Sequence, residues 1–217
     1  MISEEQIEQI VDYISKTIPS AELIDYGFDG AVFQYDEHVL KVFPEEEKAN
    51  SEVVGFQEIA RLAPSLALNV HSYGRLGPFY ALIRDDIWNA DNFAEEIDAR
   101  KFTRLMEKKS EEVAGKVLSG EDPLTLVQAE CDKFRVENNI SEENELFTND
   151  LFMLAVNMHL NGTPLNDISL DNIGISSQDG ELKIRDMSRF ETYEKLDFSK
   201  PLSLLTLKPE SLCAITP

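Results

Sequence analysis

The sequence predicts a mixed α+β fold, with a small antiparallel sheet near the N-terminus and mostly helices after it. Between residues 22 and 43, short apolar runs rich in β-branched and aromatic residues alternate with Gly or Asp clusters, which is typical of three antiparallel strands joined by tight turns. Longer segments at 49–62 and 147–160 repeat their apolar residues at helical spacing. At 217 residues, the chain is long enough for one domain or two closely packed lobes.

Residues 3–18 are predicted to form an amphipathic helix. Ser3 and Gln6 form a capping box at its start. Because the polar face of the helix is acidic, we expect the helix to pack on the sheet and not to anchor the chain on a membrane. Its apolar face consists of Ile7, Ile10, Val11 and Ile14.

Lys41 is the candidate anion-binding residue of the predicted sheet. Leu40 and Val42 flank it, so in a strand the Lys41 side chain points away from both apolar neighbours. A cation in such surroundings needs an anion, and a nucleotide phosphate is a natural one; a lysine whose ammonium reaches the solvent is the alternative. Gly27 and Gly30 lie at the first turn, where a missing Cβ lets the backbone approach a phosphate.

The middle of the chain is predicted to be mostly helical. A helix over 49–62 ends before Pro64, and the compact apolar run 79–83 predicts a strand. Residues 87–146 are rich in Glu, Lys and Asp and are predicted to form two or three helices, broken near residues 120–123. We expect these helices to pack onto the rest of the helical part; an insert that binds a partner or a substrate is the alternative.

The segment from Asp167 to Asn172, followed fourteen residues later by Asp186, carries the strongest functional signal. It is predicted to be a loop that leads into two short strands, 173–175 and 181–184, which return Asp186 to the side of Asn172. Magnesium prefers hard oxygen ligands and binds through one or two carboxylates plus substrate phosphates. The spacing therefore predicts a magnesium nucleotide site at Asn172 and Asp186, with Asp167 available to accept a proton from a hydroxyl.

In this order, the motifs resemble those of the eukaryotic-like protein kinase superfamily, in a reduced form similar to minimal kinases of bacterial effectors and phages. Gly27-x-x-Gly30-x-Val32 is similar to the second half of the family's glycine-rich loop, although Asp25 stands where the first glycine of that loop usually lies. Lys41 and its neighbours are similar to the family's strand-borne lysine segment.

The resemblance implies a role for each candidate residue. An acidic residue on the following helix pairs with Lys41, and Glu52 is preferred over the alternative Glu58. The implied catalytic residues are Asp167, Lys41 and Glu52. The implied Mg²⁺ ligands are Asn172 and Asp186. The residues implied to surround ATP are Gly27, Gly30, Val32, Lys41, Ile83 and Asp85.

The resemblance also implies a bilobal protein-kinase-like fold. Residues 1–85 form a small N-lobe around the antiparallel sheet, and residues 86–217 form a truncated, mostly helical C-lobe with a helical insert at about 87–146. Thirty-one residues follow Asp186 in the sequence, so we expect the activation segment and the platform for a peptide substrate to be missing.

Several positions depart from the family pattern. Asn166 replaces the arginine of the His-Arg-Asp motif, Ser169 stands in place of a phosphate-contacting lysine, and Met187-Ser188 replace the Phe-Gly that follows the metal-binding aspartate. Loss of the lysine weakens stabilisation of transition-state charge unless another cation takes its place. The nearby candidates for that cation are Arg185 and Arg189.

Composition argues against several classes of function. A net charge of −21 argues against a nucleic-acid partner, because phosphate contacts need a Lys/Arg surface; it favours a basic protein partner or simple solubility. No apolar stretch is long enough to span a bilayer and the start of the chain is acidic, so we expect no membrane and no signal peptide. Cys131 and Cys213 lack paired or metal-binding spacing, which indicates reduced thiols in the cytoplasm, or in a host-cell cytosol for a secreted effector or phage product.

The residues and the resemblance together predict an ATP- and magnesium-dependent phosphotransferase, specifically a minimal serine/threonine protein kinase without an activation segment. Its expected partner is a protein substrate or an activating protein; the oligomeric state is not predicted. Two alternatives stay open. One is a phosphotransferase for small molecules, as aminoglycoside-type enzymes are, and the acidic surface suits a cationic substrate. The other is a pseudokinase that acts as an interaction module, which the replacements at Asn166 and Ser169 favour.

Overall fold

The computed structural model describes residues 2–89, 99–139, 145–161, 172–176, 180–185 and 195–204. These residues form a mixed α+β fold with two antiparallel sheets and five α-helices, which confirms the predicted class. The helices are α1 (Glu4–Thr17), α2 (Glu46–Leu62), α3 (Ala99–Leu118), α4 (Pro123–Asn138) and α5 (Glu145–Leu160). In the part of the chain that the structure describes, no helix has the length and apolar character needed to cross a membrane.

The larger sheet consists of five antiparallel strands. They are β1 (Glu22–Tyr26), β2 (Ala31–Tyr35), β3 (His38–Phe43), β4 (Val70–Leu76) and β5 (Phe79–Asp85). Their order across the sheet is β1-β2-β3-β5-β4. The first three strands confirm the prediction, and β5 extends two residues beyond the predicted end. The sequence pattern does not predict β4, because this edge strand buries only Gly74 and Leu76 of its seven residues.

Helix α1 covers one face of the larger sheet, as predicted. It begins with the predicted capping box, in which the Ser3 hydroxyl oxygen accepts from the Gln6 N–H and the Gln6 amide oxygen accepts from the Ser3 N–H. Its apolar face buries Ile10 and Ile14 in one cluster with Leu40 and other residues of the sheet. Removal of this apolar surface from water, worth about 25 cal/mol per Å², holds the helix on the sheet.

Helix α2 covers the opposite face of the same sheet. Its Val53 is fully buried in a second cluster, together with Phe43 of β3 and Leu82 of β5. Successive side chains of a strand point to opposite faces. Lys41 therefore shares the face of Phe43, whereas Leu40 points to α1, and the predicted direction of the Lys41 side chain is confirmed.

Helices α3, α4 and α5 pack together and against the second half of α2. Val127, Cys131 and Phe134 of α4 share one core cluster with Leu151 and Leu154 of α5. Burial raises the pKa of the Cys131 thiol to about 12, as expected for a thiol that serves as a core residue. The described helices of the acidic middle segment therefore pack into the core, as expected.

A second sheet contains three short antiparallel strands. They are β6 (Ile87–Asn89), β7 (Ile173–Ser176) and β8 (Leu182–Ile184). The hairpin of β7 and β8 confirms the two short strands predicted around residues 173–184. Strand β6 is a correction, because the helical segment predicted from the sequence begins at residue 87. Asp86 is the one residue between β5 and β6. The two sheets therefore meet at Asp86.

Residues 195–204 return to the larger sheet. Phe198 is 1% exposed and lies between the sheet and α2. Pro201 forms a parallel bridge with Arg75 of β4, and Leu202 reaches the cluster on the α1 face. The sequence pattern predicts no structure for these residues.

Candidate functional site

A cavity of about 370 Å³ lies on the α2 face of the larger sheet, where this sheet meets the second one. Its volume is in the range of pockets that bind small molecules. Strands from both sheets contribute to its walls. The lining residues are Ile24, Asp25, Val32, Gln34, Val39, Lys41, Arg84, Asp86, Ile87 and Arg185.

Lys41 and Glu52 form a buried ion pair at one wall of this cavity. Lys41 Nζ lies 2.5 Å from Glu52 Oε2, and the two side chains are 6% and 0% exposed. The ring centroid of Phe43 lies 5.4 Å from the ammonium, within reach of a cation–π contact. The alternative partner Glu58 pairs instead with Arg61 on the surface of α2. The structure thus holds Lys41 against the preferred partner, Glu52.

The buried position of this pair points to a role other than stability. Removal of one member of a buried pair leaves the other charge in a medium of low dielectric constant, at a cost of about 3–5 kcal/mol. Replacement of both members by apolar residues of similar volume is, however, often neutral or stabilising. A buried ion pair therefore contributes little more to stability than an apolar contact would. At a cavity wall, however, it fixes the position of the Lys41 ammonium.

Two further cations, Arg84 and Arg185, line the same cavity. Arg84 is 5% exposed, and its Nη1 donates to the Asp85 carbonyl oxygen at 2.9 Å. With Lys41, the lining carries three cations and two carboxylates, in a chain whose net charge is −21. Glu52 balances the charge of Lys41, so attraction of an anion depends on the N–H donors of the three cations, which match carboxylate and phosphate oxygens. The cavity therefore suits an anionic ligand.

The hairpin of the second sheet brings Arg185 and Asn172 side by side. Pairing of β7 with β8 continues beyond the strands, because the Arg185 N–H donates to the Asn172 carbonyl oxygen at 2.7 Å. Arg185 is one of the two cations predicted to compensate for Ser169, and the structure places it on the cavity. The other candidate, Arg189, lies outside the described residues.

The predicted base and one predicted metal ligand, Asp167 and Asp186, also lie outside the described residues. Within the described ranges, no group of three or more His, Cys, Asp or Glu side chains is placed to hold a metal ion. Asn172 is partly buried directly before β7, beside Arg185, the residue that precedes Asp186 in the chain. Its amide oxygen, a carboxylate and phosphate oxygens are the kind of donors that Mg²⁺ prefers.

Gly27 and Gly30, which are predicted to approach a phosphate, do not line the cavity. A Cβ atom at Gly30 would collide with the carbonyl oxygen of Val42, so this glycine permits the turn to pack against β3. The position of a Cβ atom at Gly27 is open, and the Gly27 N–H donates to the Gly30 carbonyl oxygen at 3.0 Å. Val32, the third predicted residue of this loop, does line the cavity.

The structure turns Ile83 and Asp85 away from the cavity, contrary to the prediction. Ile83 is fully buried in the cluster on the α1 face. The Asp85 carboxylate accepts from the Asn69 backbone and side-chain N–H groups at 3.1 and 2.8 Å and contacts His71 Nε2 at 2.6 Å. Because side chains alternate along a strand, Arg84 between them faces the cavity. The sequence signal for this register is Arg84 itself, a cation that directly follows the apolar run of residues 79–83.

Comparison with known proteins identifies no family for this chain. No protein-family model matches the sequence, and the curated proteins give no match. The resemblance to protein kinases therefore depends on the sequence motifs alone.

Proposed function

We propose that this chain is an ATP- and magnesium-dependent phosphotransferase with a kinase-like arrangement of two lobes around the cavity. The observation that carries the proposal is the buried pair of Lys41 and Glu52 at the wall of a cavity that Arg84 and Arg185 also line. In protein kinases, a lysine on the third strand pairs with a glutamate of a nearby helix, and this pair must be in place for phosphate transfer. Here Lys41 lies on β3 and Glu52 on α2, the next element along the chain.

The proposed lobes follow the division expected from the sequence. Residues 1–85 contain the larger sheet with α1 and α2, and the part that begins at residue 86 contains the second sheet and the three packed helices. Residues 195–204 depart from this division, since they lie on the sheet of the proposed N-lobe.

The cations of the cavity are proposed to share the charge of the triphosphate. Lys41 contacts the α- and β-phosphates, as the family resemblance implies. Arg185 lies on the hairpin that carries Asn172, and it takes the role of the cation that Ser169 does not supply. Magnesium held by Asn172 and Asp186 neutralises phosphate charge when it is bound.

Transfer of the phosphoryl group also needs an oriented hydroxyl and a proton acceptor. We assign both tasks to Asp167, which accepts the proton as the hydroxyl oxygen bonds to the γ-phosphorus and the bond to ADP breaks. Catalysis then depends mainly on positioning and electrostatic stabilisation. The acceptor is proposed to be a hydroxyl of a basic protein, because the chain itself has a net charge of −21.

The proposal is tested first by binding of magnesium ATP to the purified chain. A ligand that binds only the folded form, supplied at about 100 times its Kd, stabilises that form by about 2.7 kcal/mol and raises the melting temperature. Glu52→Gln is expected to reduce transfer from labelled ATP about 100-fold, since Lys41 loses its fixed position. Glu58→Gln, on the same helix, is the matched control and is expected to keep full activity.

Asp186→Ala is expected to abolish phosphate transfer and to leave the melting temperature of the ligand-free chain nearly unchanged. Full activity of this variant, or a wild-type chain whose melting temperature does not respond to magnesium ATP, contradicts the proposal. The acceptor is identified by labelling of the chain itself, of basic proteins and of aminoglycosides. If only aminoglycosides are labelled, the chain is a small-molecule phosphotransferase. If the chain neither binds magnesium ATP nor transfers phosphate, an interaction module is favoured.

A further inference from the structure

Phe198 occupies a site between the larger sheet and helix α2. Its side chain is 1% exposed and packs in one cluster with Phe43, Val53 and Leu82. Its ring centroid lies 5.2 Å from that of Tyr73 and 6.1 Å from that of Tyr80. A residue far along the chain thus fills the gap between the helix and the sheet.

This apolar cluster adjoins the ion pair of the proposed site. Val53 follows Glu52 directly on α2, and Leu82 stands opposite Lys41 in the ladder between β3 and β5. Phe43 is the neighbour whose ring lies 5.4 Å from the Lys41 ammonium. The contacts of Phe198 therefore reach both elements that hold the ion pair.

Backbone hydrogen bonds fix the segment 195–203 to both sides of this gap. On the helix side, the Leu196 N–H donates to Asn50 Oδ1 at 2.7 Å, two residues before Glu52 on α2. On the sheet side, the Arg75 N–H donates to the Lys200 carbonyl oxygen at 2.8 Å.

The contacts on the sheet side continue beyond Lys200. The Leu202 N–H donates to the Arg75 carbonyl oxygen at 2.8 Å. A Cβ atom at Gly74 would lie 2.6 Å from the Lys200 carbonyl oxygen, which is too close for any side chain. The glycine at this position of β4 therefore allows the backbone of the segment to pack directly against the strand.

We propose that residues 195–200 form a built-in clamp that holds α2 against the sheet and so keeps Glu52 on Lys41. Phe198 is the positioning residue of this clamp. Its catalytic consequence rests on the function proposed above, in which the ion pair must be in place for phosphate transfer.

The structural half of this inference is tested without a nucleotide, by the rate at which acetic anhydride acylates Lys41 in the full chain. Lys41 is 5% exposed, so its labelling reports the opening of the ion pair and is read by mass spectrometry. Phe198→Ala is expected to accelerate this labelling about tenfold. Leu202→Ala is the matched control, because its side chain lies beyond the clamp in the cluster on the α1 face, and it is expected to leave Lys41 protected.

Phe198→Leu keeps most of the apolar contact and is expected to restore most of the protection. Phe198→Val removes the ring and a larger part of the contact, and it replaces Phe198→Ala in the comparison if the latter does not fold. Unchanged labelling of Lys41 in Phe198→Ala, or in Phe198→Val where it is used instead, overturns the clamp. An equal acceleration in Leu202→Ala overturns it as well, because the effect is then a general loss of stability.

The catalytic half is tested by phosphate transfer from labelled ATP, below the melting temperatures of all variants. Phe198→Ala is expected to lower kcat about 100-fold, and Leu202→Ala to leave it unchanged. If the wild type transfers no phosphate but Phe198→Ala still exposes Lys41, the proposed function is wrong and the clamp stands. If the wild type transfers phosphate normally but the variants do not change the labelling of Lys41, the clamp is wrong and the proposed function stands.

Discussion

Replacement of Lys41 by methionine removes one charge from the buried pair and keeps an unbranched side chain. Glu52 is then left as a carboxylate whose side chain is 0% exposed. Breaking a buried pair in this way costs about 3–5 kcal/mol of folding free energy. In a chain of 217 residues, each kcal/mol shifts the melting temperature by about 2–4 °C, so the expected fall is roughly 6–20 °C.

The double variant Lys41→Met with Glu52→Leu removes both charges. It is expected to recover most of the lost stability, because no desolvated charge remains. Phosphate transfer is not expected to recover, since the ammonium is still absent. The control for the loss of a lysine is Lys16→Met, whose partner Asp12 lies on the exposed face of α1; the two side chains are 72% and 65% exposed. This control is expected to cost less than about 1 kcal/mol.

Urea unfolding of the wild type, Lys41→Met, Glu52→Leu and the double variant gives the coupling free energy of the pair. The reasoning is refuted if Lys41→Met costs no more than Lys16→Met. It is also refuted if the double variant is as unstable as Lys41→Met, because the cost then comes from lost packing and not from an uncompensated charge.

Three further predictions concern the register of β5, the turn before β2 and the core thiol. Arg84→Met is expected to weaken binding of magnesium ATP at least about tenfold in calorimetric titration. The control Ile83→Val is expected to cost about 0.5–1.5 kcal/mol of stability and to leave the affinity for magnesium ATP unchanged. Equal affinities of the two variants contradict the register of β5. Gly30→Ala is expected to destabilise the chain to urea by about 1–3 kcal/mol, because its Cβ meets the backbone of β3, and Gly27→Ala, with open space, is not. Burial raises the pKa of Cys131 from 9.0 to about 12, so the stabilising contribution of its protonated form is complete below pH 9 and is lost as the pH rises toward 12. Alkylation of Cys131 at pH 9 is therefore expected to be slow in the native chain and fast in urea; rapid native alkylation contradicts its place in the core.

The parts of the fold that depend on local patterns follow from the sequence. Ser3 and Gln6 cap α1 because their spacing is a property of one helical turn. The direction of Lys41 follows from strand alternation between two apolar neighbours. The preference for Glu52 over Glu58 comes from the family resemblance, and the structure shows that ion pair.

The parts that depend on distant contacts do not follow from the sequence. Strand β4 is mostly polar and forms because β5 offers it an unpaired edge. Strand β6 has three residues, too few for a periodic pattern, and its partner β7 is far along the chain. The cavity position of Arg84 depends on where β5 ends, and that end is set by pairing with β3 and β4. The site of Phe198 depends on a gap that two other elements create.

The junction at Asp86 limits how far the two sheets can move apart. The residue before it is paired with His38 in the larger sheet, and the residue after it is paired with Ser176 in the second sheet. Rotation between the sheets is therefore confined to the backbone torsions around a single residue, and each neighbour resists bending through its own ladder. Asp86 itself lines the cavity, so any change of angle between the two sheets acts directly on the cavity wall.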